Sequence, residues 1–225
     1  MIDKFFAKLR LFPAAAAVCG TMACGSVAHA ASVPAASYDP SPSSSGVQTI
    51  IVAGGCFWGI EAVFRHTKGV VSAESGYAGG SAGNATYDKV SKGDTGHAEA
   101  VRVTYDPDDI SLGQLLQVYF AIAHDPTQLN RQGNDVGTQY RSAVFYADEG
   151  QKEIAARYMA QLNATHIFPE KIVTTLEPLT VFYKAEDYHQ DYVARNPEQM
   201  YVYFHDLPKI RRLEEQFPDI YRAPI

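Results

Sequence analysis

The sequence predicts an α+β domain: one mixed β-sheet with helices packed against it. Three observations predict it. Segments of strand period and helix period interleave along the chain. Several connections between them are long and glycine-rich. The composition, 46% hydrophobic and 20% charged over 225 residues, is that of one globular domain of ordinary size.

The first thirty residues stand apart. Lys4, Lys8 and Arg10 precede an apolar, small-residue run from Leu11 to Ala23, and Ala28-His29-Ala30 has the A-x-A form of a cleavage site. Residues 1–30 therefore read as a secretory signal peptide, with secretion, in the periplasm, as the expected destination. A retained anchor or a lipidated Cys24 is the other reading. The apolar run is short for the first, and Thr21-Met22-Ala23 is a poor lead-in for the second. Residues 31–47 are rich in Ser, Pro and Ala and read as a flexible linker. Residues 48–221 are the expected catalytic domain.

Within that domain, Thr49 to Ala53 is a short β-branched run, a buried strand ended by Gly54-Gly55. Phe57, Ile60, Val63 and Phe64 then recur at helical spacing, which puts Cys56 where a strand passes into a helix. His97 to Tyr105 alternates as a strand, with His97, Glu99, Val101, Val103 and Tyr105 on one face. Ser111 with Gln114 has the form of a capping box before an amphipathic helix of Leu112, Leu115, Leu116, Tyr119 and Phe120. Tyr140 to Tyr146 reads as a strand, and Asp148 with Gln151 opens a helix through Leu162. Lys171 to Leu176 is a further strand closed by Pro178, and Leu207 to Phe217 a last helix.

Removing residues 1–30 takes away three of the 19 Lys/Arg and one of the 25 Asp/Glu, leaving a net charge of −8. That balance argues against nucleic acid and against an anionic membrane surface as partners. It also takes away Cys19 and Cys24, leaving Cys56 as the one thiol. A lone thiol in an oxidising compartment is either reactive or buried and inert. At a helix N-terminus, backbone N–H groups and the macrodipole favour the thiolate, so a lowered Cys56 pKa is expected. The flanking glycines are expected to let a substrate approach closely.

Glu99 shares its face with Val101 and Val103. A buried carboxyl takes up a proton and can serve as a general acid, whereas an exposed or salt-bridged one cannot; the period leaves both open. Tyr87, in a loop, and Tyr140, at a strand start, are candidate donors to a developing oxyanion, as is any of the 14 tyrosines. Asp135 is ambiguous by itself. The histidines show no spacing typical of zinc, so no metal is expected. A Cys–His hydrolase built on Cys56 with His97, His124 or His189 is a rival, and a binding module for Met-rich segments is another.

Six ordered stretches resemble the peptide methionine sulfoxide reductases of the A type. They are residues 55–59 (Gly-Cys-Phe-Trp-Gly), 76–80, 93–101, 124–127, 131–142 and 182–190. The resemblance implies an α+β two-layer sandwich and reduction of methionine (S)-sulfoxide, free and in oxidised proteins. It implies Cys56 as the nucleophile, Glu99 as the acid, and Tyr87 and Tyr140 as donors to the sulfoxide oxygen. Asp135 supports the site, and Phe57 and Trp58 hold the S-methyl group. No bound cofactor is implied, only an external thiol reductant.

The sequence departs from many members of that family. No cysteine lies in the tail 200–209, and position 91 is Ser. A one-cysteine enzyme is therefore expected; a monomer is expected as well. Its sulfenic acid would need a thioredoxin-like protein, glutaredoxin with glutathione, or a dithiol.

Overall fold

The structure is a computed structural model that describes residues 32–42 and 45–223. The signal-peptide expectation for 1–30 lies outside them. In chain order the elements are β1 (Gln48–Ala53), α1 (Phe57–Arg65), β2 (Val70–Ala78), α2 (Tyr87–Val90) and β3 (Ala98–Tyr105). There follow α3 (Leu112–Val118), β4 (Arg131–Gln132), β5 (Asp135–Val136), β6 (Ala143–Tyr146) and α4 (Glu149–Thr165). The chain ends with β7 (Thr175–Pro178), β8 (Phe182–Lys184), α5 (Tyr192–Arg195) and α6 (Leu207–Gln216).

Six strands form one sheet in the order β7-β6-β1-β3-β2-β8. Only β6 with β7 is parallel, so the sheet is mixed. The two faces differ in kind. One carries Ile50, Val52, Val101, Val103 and Tyr105 against Phe57, Ile60, Val63 and Phe64 of α1 and the apolar sides of α3 and α4. The other is lined by small residues, Ala53, Ala78, Ala98, Ala100 and Ala143, with Ile51 and Phe145. Arg102 lies over Phe182 on that side, its guanidinium 4.9 Å from the ring centre. Helices therefore cover one face, the α+β arrangement expected.

Local chemistry sets the ends of the elements. Ser111 and Gln114 make a full capping box on α3, and the Asp148 side chain accepts from the Gln151 N–H at the start of α4. Strand β2 has no counterpart in the sequence reading. Its Ser72, Glu74 and Ser75 blur the apolar period, and a bulge near Val70 shifts its register, yet it pairs with β3 along nearly its whole length.

Two expected strands move. The one expected from Tyr140 begins at Ala143, because Thr138–Tyr140 turns as a 3-10 helix whose buried Gln139 donates to the Ser91 carbonyl. The one expected at Lys171–Leu176 pairs instead at Thr175–Pro178. Before it, the N–H groups of Ile172 and Val173 donate to Asn163 and to the Pro126 carbonyl rather than to a ladder. Pro178 ends an edge strand, where its missing N–H costs nothing.

The expected flexible linker is corrected for its first half. Val33 is buried and Ala36 and Tyr38 pack on the core. The carbonyls of Val33, Pro34 and Ala35 accept from Gln117, Tyr158 and Gln161, and Asp39 accepts from the Gly113 N–H. A Ser/Pro/Ala composition signals a loose chain, but these backbone groups find fixed partners on α3 and α4.

Candidate active site

The sheet, α1, the β4–β5 hairpin and the C-terminal segment converge on one pocket of about 180 Å³. Cys56, Phe57, Trp58, Tyr87, Glu99, Asp135, Tyr140 and Tyr201 line it. All seven residues singled out from the sequence are there, and Tyr201 is added.

Cys56 is the N-cap of α1, entered from β1 through Gly55 at φ +104°. That positive φ suits glycine. The expectation that glycines admit a substrate is corrected: a Cβ at Gly55 would lie 2.7 Å from Gln132, and one at Gly59 would strike Asp206. The glycines make room for the protein's own parts. Gln132 is held in turn by two hydrogen bonds to the Asp125 backbone, which anchors the hairpin that carries Asp135.

The helix N-terminus serves two groups at once. The Phe57 N–H donates to Glu99 Oε2 at 3.2 Å, and the Trp58 N–H supports the Cys56 sulfur. A lowered thiol pKa does not result, which corrects the sequence expectation. Burial, followed by the charges of Glu99 and Asp206, pushes the Cys56 thiol well above its ordinary range, and the Trp58 N–H and Lys209 oppose this only in part. Desolvation outweighs the dipole here.

Glu99 is 2% exposed on the helix-covered face of β3. Burial pushes its pKa up to about 8, against the lowering effect of the Phe57 N–H. A protonated carboxyl thus sits beside the thiol at neutral pH. Burial also raises Tyr87 and Tyr140, with Glu99 as the next cause, so both phenols stay protonated donors. Glu186 fixes the first of them. One of its oxygens accepts from the Tyr87 N–H at 3.0 Å and the other from the Tyr77 hydroxyl at 2.8 Å.

The apolar wall is equally constrained. Phe57 is fully buried. Trp58 stacks on Tyr192 at 3.8 Å and 8°, meets Tyr201 edge-on, and donates its indole N–H to His189 Nδ1 at 3.0 Å. Tyr201 donates to Asp135 Oδ2, so the tail is tied to the hairpin across the pocket. The sequence reading missed Tyr201, Glu186 and His189 as site parts. The last two fall inside the 182–190 stretch; for Tyr201, one tyrosine among fourteen, no local signal exists.

No histidine lines the pocket among the described residues. His97 bonds the Gly80 N–H and the Ser81 carbonyl, and His124 bonds Ser142 and the Tyr119 carbonyl. His189 accepts from Trp58. The Cys–His pair of a hydrolase is not made.

A thiol, a protonated carboxyl and three phenols around an apolar-walled pocket define a thiol-dependent enzyme that protonates and attacks a small polar group. Residues 48–220 match the family model described as peptide methionine sulfoxide reductase, and the chain belongs to that family. It is 53% identical over 176 residues to peptide methionine sulfoxide reductase MsrA 2 of Mesorhizobium japonicum, covering 78% of this chain and 90% of the relative. With MsrA of Chromobacterium violaceum it shares 50% over 171 residues, 76% and 97% of the two chains. Among solved structures, reduced Mxr1 from Saccharomyces cerevisiae aligns with TM-score 0.64 at 38% identity, covering 68% of this chain and 87% of that one. Methionine sulfoxide reductase A of Corynebacterium diphtheriae aligns with TM-score 0.58 at 41% identity, covering 69% and 77%.

Proposed function

We propose that this enzyme reduces methionine sulfoxide, repairing oxidative damage, through one proton shared between Cys56 and Glu99. The observation that carries the reading is their joint placement at the N-terminus of α1, with Glu99 held by the Phe57 N–H and both facing one pocket.

The sulfoxide oxygen lies towards Glu99 and the hydroxyls of Tyr87 and Tyr140, and the S-methyl group lies on Phe57 and Trp58. That three-point fit supports a preference for the S epimer. As the Cys56 sulfur attacks the sulfoxide sulfur, Glu99 gives its proton to the oxygen. The S–O bond of the substrate breaks and the oxygen ends on Cys56. The products are methionine, Cys56 sulfenic acid and the Glu99 carboxylate. Cys56 is oxidised and the substrate reduced by two electrons.

Cys56 is the one cysteine among the described residues. With Cys19 and Cys24 removed along with the signal peptide, an external thiol attacks the sulfenic acid, releasing water and forming a mixed disulfide, and a second thiol frees Cys56. A thioredoxin-like protein, glutaredoxin with glutathione, or a dithiol meets this need. The n-region and A-x-A site within residues 1–30 support export to the periplasm.

Resolved R and S epimers of a methionine sulfoxide peptide, offered separately with dithiothreitol, test the reading. Methionine is expected from the S epimer alone, and equal rates on both would overturn the proposed pose.

A further inference from the structure

A buried carboxylate, Asp206, packs against the first turn of α1, the turn that Cys56 caps. Asp206 closes the π-helical turn Val202–Asp206 that leads into α6. It is 0% exposed, and neither of its oxygens accepts a hydrogen bond among the described residues. Buried carboxylates normally gather donors, because an unpaired one costs several kcal/mol. Here the carboxylate has an ion pair instead, to Lys209, whose Nζ lies 3.7 Å from Oδ1 and whose side chain is only 14% exposed.

The pair presses on the first turn of α1. A side chain at Gly59 would collide with Asp206 Oδ1 and reach within 2.8 Å of Lys209 Nζ. Gly59 lies three residues past Cys56, so its missing side chain admits the two charges to the turn that the thiol caps. Asp206 does not line the substrate pocket, and sulfoxide reduction as set out above makes no use of it.

The charged and titratable groups around these residues come from several elements. Glu99 on β3, Tyr87 on α2, Asp135 on β5, Tyr140 and Tyr201 face Cys56 from the pocket side. Asp206 and Lys209 approach the first turn of α1 at Gly59. Lys209, His205 and Asp135 act on Asp206 itself. Burial pushes Asp206 up to about 6, against the lowering effect of Lys209, and its charge is among the causes that raise the Cys56 thiol.

We infer that Asp206 is a positioning residue that holds the lone Cys56 as a protonated thiol between turnovers, by a buried negative charge beside the helix turn that the thiol caps, and that Lys209 sets how strongly it does so. Oxidants and alkylating agents attack the thiolate, so the charge shields the resting enzyme. That protection matters because no second cysteine stands among the described residues to capture a sulfenic acid. The inference rests on Cys56 being the reacting thiol.

Iodoacetamide alkylation of Cys56, followed against pH without any sulfoxide, tests it on the wild type, Asp206→Asn and Lys209→Met. In Asp206→Asn the midpoint is expected to fall by roughly 0.5–1 pH unit, so that alkylation at pH 7 is about three- to tenfold faster. Lys209→Met is expected to move the midpoint up. An unchanged or raised midpoint in a folded Asp206→Asn would overturn the inference. Should Asp206→Asn fail to fold, Lys209→Met decides alone, and a midpoint that stays or falls overturns it. Because no sulfoxide is present, an enzyme that titrates as expected but reduces nothing would refute the proposed function and leave this inference standing.

Discussion

The backbone N–H of Phe57 donates to Oε2 of Glu99, linking the residue after the nucleophile on α1 to the acid on β3. The bond fixes the carboxyl beside the thiol. It also stabilises the charged form of Glu99, yet burial prevails and keeps the acid protonated at neutral pH.

Glu99→Gln keeps an acceptor for the Phe57 N–H and removes the proton. Sulfoxide reduction is expected to fall by about 10²–10⁴-fold, the ordinary range for a general acid. Single-turnover release of methionine measures it, and a loss below about tenfold would remove Glu99 from the role of acid.

The same substitution has an opposite effect on stability. Folded Glu99 keeps its proton up to about 8, whereas in the unfolded chain it is released near 4.5. Between those values the folded state binds more protons, so wild-type stability falls as pH rises through this window. Glu99→Gln lacks that loss and is expected to gain on the wild type by a few kcal/mol at pH 8.5, on the order of the shift. Denaturant melts at pH 4.5 and 8.5 check this: the gap should open only at the higher pH.

Activity should follow the proton that Cys56 and Glu99 share. With both protonated the thiol is inert, and with both deprotonated no acid remains. Single-turnover rates at low sulfoxide are expected to rise from pH 6 to about 8 and decline only at more alkaline pH. A steady fall from pH 6 upwards would contradict a shared proton.

Tyr87→Phe and Tyr140→Phe each remove one donor to the oxygen, and each is expected to cost about 10²-fold in the chemical step. Glu186→Gln should lower activity less, because it loosens Tyr87 without removing its hydroxyl. Stopped-flow turnover with circular dichroism as a fold control separates these, and equal losses in all three would point to unfolding instead.

Deleting residues up to Pro42 removes the hydrogen bonds to Gln117, Tyr158, Gln161 and Gly113. At about 1 kcal/mol for each bond, the domain is expected to lose a few kcal/mol. Thermal melts of the truncated and the longer chain report it, and an unchanged midpoint would restore the view of this segment as a loose linker.

Much of the fold was legible in the sequence because strong periods mark it: β1, α1, β3, α3 and α4 all carry clear apolar repeats. Strand β2 was not, since its Ser72, Glu74 and Ser75 find partners only after the sheet forms, Glu74 with Arg102 and Ser75 with Glu61. The pocket residues stood out because Cys56, Glu99 and the two tyrosines lie in recognisable stretches. What failed was electrostatics. A helix N-terminus suggested an acidic thiol, but the sign was decided by burial and by Glu99 and Asp206, charges brought to Cys56 only by tertiary structure. Tyr201 is likewise delivered by the tail through its bond to Asp135.

The central claim is that Cys56 takes the sulfoxide oxygen and that nothing else among the described residues rescues it. Enzyme mixed with excess Met-S-sulfoxide peptide and no reductant, then trapped with dimedone and mapped by mass spectrometry, tests this directly. The expected result is about one methionine released per chain, the stoichiometry of a single thiol, with the dimedone adduct on Cys56. Several turnovers without reductant, or a label on any other residue, would contradict it.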